Sequence, residues 1–127
     1  MFGNIELFRL SQAMAGHATT RLNLISQNVA NADTPGYQAK DIAPFDALVR
    51  DDKPFADLRA TRPGHVSGFG GAGDVVVEVG TTVSPNGNSV SVENELLKAA
   101  EVQERYDSAL AIYKSGLNIL RTSIGRR

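Results

Sequence analysis

The sequence predicts a mainly α fold: two long terminal helices pairing as an antiparallel, coiled-coil-like hairpin, with a small irregular and β excursion between them. Two observations carry this. Proline and glycine are segregated. Residues 4–32 contain no proline and one glycine, Gly16, whereas residues 33–90 hold all five prolines and most of the glycines. Residues 91–124 again lack proline and carry only Gly116. In addition, the apolar residues of both terminal zones recur at alternating steps of three and four, the spacing of a narrow helix–helix seam. The chain divides accordingly into an N-terminal helix over 1–33, a central excursion over 34–90 and a C-terminal helix over 91–127.

In the first helix the stripe is Phe8, Ala15, Ala18, Leu22, Ile25, Val29 and Ala32, with polar Ser11 inside it. A second edge of Leu7, Leu10, Met14 and Leu24 widens the apolar face, which implies more than one neighbour. The helix ends at NVANADTPGY, residues 28–37. Thr34, before a proline, is pushed out of the α region. Pro35-Gly36 suits the centre of a type II turn, where glycine takes the positive φ at low cost. Tyr37 then falls near the helix end. Asn28 and Asn31 share an edge with Leu24, and amides there are unusual: they either help to stop the helix or fix one alignment of a seam.

The middle offers Ile42, Phe45, Leu48 and Val49 as one short amphipathic helical stretch with Pro44 at its first position. VVVEV at 75–79 is β-prone, and Ser84-Pro85-Asn86-Gly87-Asn88 is a turn signal. In the last helix the series is Leu96, Ala99, Tyr106, Leu110, Tyr113, Leu117, Leu120 and Ile124, broken only by Gln103. Ser91 is the expected N-cap, Glu93 and Glu95 sit where the helix dipole favours acid, and Gly125 can close the other end. Each terminal helix would be roughly 45 Å long, more than a compact domain of this size accommodates.

Composition excludes much. The 127 residues carry 13 basic and 14 acidic side chains, so no basic stripe exists to neutralise phosphates, and nucleic-acid binding is not expected. Cysteine is absent, which removes disulfides, thiolate nucleophiles and cysteine metal sites. No cleavable secretory signal and no run of about 20 apolar residues is visible, so direct membrane insertion is not expected. GFGGAG at 68–73 matches G-x-G-x-x-G, but Arg62-Pro63-Gly64 precedes it and the β-prone Val75-Val76-Val77 follows. That is the reverse of the strand–loop–helix order that presents amides to a pyrophosphate, so it reads as a flexible loop. His17 and His65 are the only histidines, and His17 has no carboxylate three or four residues away to complete a metal pair; it reads as solvent-facing or interfacial. Asp51-Asp52 and Glu93/Glu95 lack any nucleophile or acid–base partner. No catalytic, cofactor or metal site is expected, and the chain does not read as an enzyme.

The segment SQNVANADTPGY resembles the N-terminal signature of flagellar basal-body rod proteins, roughly N-x-A-N-x-x-T-P-G-Y, matched here by Asn28, Ala30, Asn31, Thr34, Pro35, Gly36 and Tyr37. The preceding TTRLNLI is similar to that family's helix, and residues 84–125 resemble its C-terminal helix. Rod and hook subunits of other positions usually carry an Ala-Asn pair after the tyrosine of that helix. Here Arg105-Tyr106 is followed by Asp107-Ser108-Ala109-Leu110. With the short middle and the Asn-Gly-Asn approach, this points to the proximal rod type. The resemblance implies a structural subunit exported through the flagellar type III apparatus without a cleaved signal. It would polymerise in the periplasm with itself and other rod subunits, above the MS-ring and its rod adaptor, in support of motility. It also makes Asn28 and Asn31 candidates for inter-subunit register. Leu22, Ile25, Val29, Leu96, Tyr106, Leu110, Tyr113, Leu117, Leu120 and Ile124 become the expected seam and assembly residues.

Overall fold

The computed structural model describes residues 2–50, 76–79 and 83–125. The GFGGAG motif, His65, Asp51-Asp52 and Val75 lie outside the described residues. Two helices dominate. α1 runs Phe2–Ala30, and α3 runs Val92–Ile124. Between them come β1 (Lys40–Ile42), α2 (Phe45–Arg50) and β2 (Val76–Glu78). α1 and α3 pack antiparallel along their length: Asn28 meets Glu95 at one end, and Phe8 meets Tyr113 and Gly116 towards the other. The mainly α hairpin with a small strand-bearing centre is therefore the architecture.

α1 persists for 29 residues because nothing in it breaks the ladder, and its hydroxyls turn back on the helix itself. Thr19, Thr20 and Ser26 donate to the carbonyls of Ala15, Gly16 and Leu22 four residues earlier. The last turn tightens, with the amides of Ala32 and Thr34 bonding three residues back. Gly36 then adopts φ 74° within a turn closed by Tyr37 N–H to the Thr34 carbonyl, as the Pro-Gly pair predicts.

β1 and β2 pair antiparallel, Lys40 opposite Glu78, Asp41 opposite Val77 and Ile42 opposite Val76. Ile42 thus belongs to a strand, and the short helix begins only at Phe45, with the Pro44 carbonyl accepting its first bonds. Ser91 holds the N-cap position of α3 in extended geometry, but its hydroxyl makes no capping bond. Gly125 closes α3 with its amide on the Arg121 carbonyl at φ −80°, without a left-handed residue.

Part of the stripe the sequence suggests is displaced by one position, while Ala18, Ile25, Ala99 and Tyr106 stay in the seam. On α3 the buried residues are Glu95, Val102, Ala109 and Gly116, a strict seven-residue period. Leu96 is 61% exposed, Ile124 78%, and Leu110 is exposed as well. On α1 the line Ser11, Ala18 and Ile25 is buried as expected, but its companions are Arg21 and Asn28 rather than Leu22 and Val29, both of which are exposed. The physical reason lies outside the helices. β1 and α2 cover one side of the hairpin and bind polar residues there, which fixes the rotation of both helices. Ala18, Ile25 and Val102, flanked by Ala99 and Tyr106, form the central apolar cluster.

Candidate functional site

The hairpin is closed by a polar clamp built on two asparagines. Asn28 has no exposed surface. Its Nδ2 donates to the Lys40 carbonyl at 2.7 Å and to Glu95 Oε2 at 3.0 Å. Its Oδ1 accepts from the Lys40 amide at 3.0 Å and from the Tyr37 hydroxyl at 3.3 Å. Two donors and two acceptor sites are all an amide side chain has, so Asn28 is fully satisfied. By bonding both the N–H and the C=O of Lys40 it acts on β1 as a neighbouring strand would. Only an amide can do this: a carboxylate lacks the donors, and a hydroxyl lacks the span.

Asn88, the second anchor, is equally hidden. Its Nδ2 reaches the carbonyls of Asn31, Ala32 and Thr34 at 2.8–2.9 Å, joining the backbone amides that already bond Asn31 and Thr34 and giving the Ala32 carbonyl at the end of α1 a donor. Its Oδ1 accepts from the Val90 amide at 2.7 Å. The turn that carries it, closed by Gly87 N–H to the Ser84 carbonyl, lies against the Thr34–Tyr37 turn. The Gly36 amide donates to Asn86, the Ser89 amide donates to Tyr37, and Ser89 Oγ accepts from the Ala39 amide. Gly87 has φ 81°, which glycine takes at low cost, and a Cβ there would stand in ordinary contact, 3.4 Å, with the Gly36 Cα.

Charges extend the clamp along the seam. Glu95 is only 2% exposed, and Lys98 Nζ meets its free Oε1 at 2.8 Å. Lys98 also lies 3.6 Å from Asp41. Asp41 takes two bonds from Arg21, at 2.9 and 3.2 Å, and one from the Ile42 amide. Arg21 then reaches Glu101 at 3.9 Å. Burial alone would raise the Asp41 carboxyl, but the Arg21 hydrogen bonds, the Ile42 amide and the charges of Arg21 and Lys98 outweigh it and hold the group below its ordinary 3.8. Arg21 is correspondingly raised, chiefly by its bonds to Asp41. Nearby, His17 Nε2 donates to the Ala43 carbonyl at 2.8 Å, and its ring lies 5.6 Å from that of Phe45. This half-buried histidine pins the β1–α2 connection to α1 instead of facing solvent.

Chemically the cluster is closed. Each acid is matched to a base or an amide, no buried polar side-chain atom among the described residues lacks a partner, and no three potential ligands there could hold a metal. Its capacity is to fix geometry.

Of the residues singled out from the signature, Asn28, Thr34, Gly36 and Tyr37 converge here. Asn28 aligns elements of its own chain. Asn31 does not share that role: it lies at the rim, its Nδ2 on the Gln27 carbonyl of its own helix and its Oδ1 accepting from Thr34. Pro35 and Ala30 are exposed. Tyr106 packs on the central cluster, and Tyr113 makes an edge-on contact with Phe8, ring centres 5.2 Å apart. Leu117 and Leu120 are half-buried farther along. Sequence reasoning missed Asn88, Arg21, Asp41 and the burial of Glu95. For Glu95 the signal was present: it stands seven residues before Val102 and heads the 95/102/109/116 series.

A family profile described as flagella basal body rod protein matches residues 17–38, the stretch from His17 through the Asn28 anchor to the glycine turn. Curated relatives extend the likeness to most of the chain. A flagellar basal body rod protein of Cereibacter sphaeroides is 36% identical over 83% of this chain and 83% of its own length. One from Agrobacterium fabrum is 28% identical over 96% of this chain and 95% of the relative. One from Bacillus subtilis is 29% identical, covering 83% and 82%. All three bear the name FlgB.

Proposed function

Because the chain belongs to the flagella basal body rod protein family, and is a structural component of the flagellar basal body and not an enzyme, we propose that it is a subunit of the proximal rod that polymerises through its terminal helices. The observation that carries this reading is the form of the hairpin. Two helices of about 43 and 50 Å bury one narrow seam between them and leave large apolar side chains outside it. An isolated monomer gains little from such exposure; a packed tube of copies covers it.

The subunit is exported by the flagellar type III apparatus, assembles in the periplasm with itself and other rod subunits, and joins the MS-ring and its adaptor at the base, so motility depends on it. Fractionation tests this. The chain should copurify with isolated basal bodies, and a deletion strain should lack rods and swimming. Complete basal bodies without the chain would favour a helical adaptor that stays outside the filament and would overturn the proposal.

A further inference from the structure

Among the described residues, the phase of the two helices gives the hairpin a covered side and a bare side. On α1, His17, Arg21 and Asn28 bind the β1–α2 segment. On α3, Lys98 and Arg105 reach Asp41 and Asp46 of the same segment. Leu22 and Val29 on α1, and Leu96 and Leu110 on α3, occupy the opposite edges, and all four are exposed. In the antiparallel hairpin the pairing of Asn28 with Glu95 and of Arg21 with Glu101 places Val29 within one turn of the level of Leu96 and Ala15 within one turn of the level of Leu110. Both leucine stripes therefore border a single apolar face.

The outer margin of that face on α3 is electrically polarised. Glu93, Glu104 and Asp107 lie in its first half, Lys114 and Arg121 in its second, and all are exposed. Among the described residues none of the five forms an ion pair, although Asp107 accepts a hydrogen bond from Gln103. The helix dipole does not explain the pattern, because its influence fades within one turn of each end and Glu104, Asp107 and Lys114 lie beyond that.

Resting on the reading of the chain as a polymerising subunit, we propose that the bare face receives a second copy lying parallel to the first and displaced along the axis, so that Glu104 and Asp107 of one copy meet Lys114 and Arg121 of the next. The two charge groups are centred about 12 residues apart, a stagger of ~18 Å. In-register parallel copies would oppose like charges. A two-fold antiparallel pair would match them but close on itself, whereas the staggered contact leaves both ends free to continue.

Charge exchange tests this. The pairs Glu104→Lys with Asp107→Lys, and Lys114→Glu with Arg121→Glu, should each reduce rod incorporation at least tenfold while leaving monomer helix content by circular dichroism unchanged. The fourfold exchange should restore incorporation. Pairs that assemble normally, or a fourfold variant no better than either pair, would overturn the proposal. Ala111→Cys, in a chain with no other cysteine, lies at the centre a two-fold contact would have; rapid disulfide dimers of this variant would overturn the parallel arrangement. The unaltered chain is followed in the same preparations. Its absence from basal bodies would defeat the broader reading, and its presence alongside failed charge exchange would defeat the stagger alone.

Discussion

Replacing Asn28 with leucine removes the partner of the Lys40 amide and carbonyl, the Tyr37 hydroxyl and one Glu95 oxygen, the last fully buried and the others half-buried. Each such group costs about 1–3 kcal/mol, so Asn28→Leu should destabilise the fold by at least about 3 kcal/mol. Asn31→Ala removes bonds made at the rim and should cost under about 1 kcal/mol. Urea unfolding of the two variants checks the contrast, and equal losses would show that the clamp does not depend on Asn28. Asp41 adds a pH dependence. Its carboxyl is held lower in the folded chain than in the unfolded one, so its contribution is complete above the unfolded value near 4 and disappears as pH falls through the lower folded value. Asp41→Asn should therefore lower stability at pH 7 and flatten the loss of stability below about pH 4. Parallel acid titrations of both proteins, with unchanged slope in the variant, would rule this out.

At the level of elements, Gly116 is buried against Phe8 and Leu7 towards the open end of the hairpin. A Cβ there would stand 3.1 Å from the Phe8 ring, so Gly116→Val should displace Phe8 from Tyr113 and cost about 1–3 kcal/mol by overpacking. Ser91→Ala should cost less than about 0.5 kcal/mol despite its N-cap position, since the hydroxyl makes no capping bond. Thermal melts of both variants would test this ordering. The existence of both helices and the positive φ at Gly36 were legible in proline placement, heptad spacing and the Pro-Gly pair. The rotation of the helices was not. Hydropathy favours Leu22 and Val29 over Arg21 and Asn28 for burial, and Leu96 over Glu95. Partners supplied by Lys40, Asp41 and Lys98 reverse that preference, and apart from Lys98, which stands three residues from Glu95, they join residues that no short window contains together. Asn88 was hidden for the same reason: a turn residue by composition, it serves the end of a helix more than 50 positions earlier.

Over the whole molecule the tethers are unevenly distributed. Among the described residues, every side-chain hydrogen bond or ion pair between elements lies between the clamp and the level of His17 and Arg105. Beyond that level the described ties are the Phe8–Tyr113 ring contact and the packing of Leu7 and Phe8 at Gly116. Hydrogen exchange of the monomer should accordingly show the slowest amides near residues 20–30 and 95–105, and fast exchange before residue 7 and after residue 118. Uniform protection along both helices would contradict this gradient.

The back-to-back turns have a consequence for what the chain can carry. Gly36 on Asn86 and Tyr37 on Ser89 bring the two ends of the central stretch together before it departs, so the helices do not sense how many residues lie between. Because closing a longer loop costs only about 0.6 kcal/mol per doubling of length, the site is a socket. A foreign peptide grafted between Arg50 and Val76 should leave the hairpin as stable as before, and the same frame could present a different ornament on each subunit that inherits it.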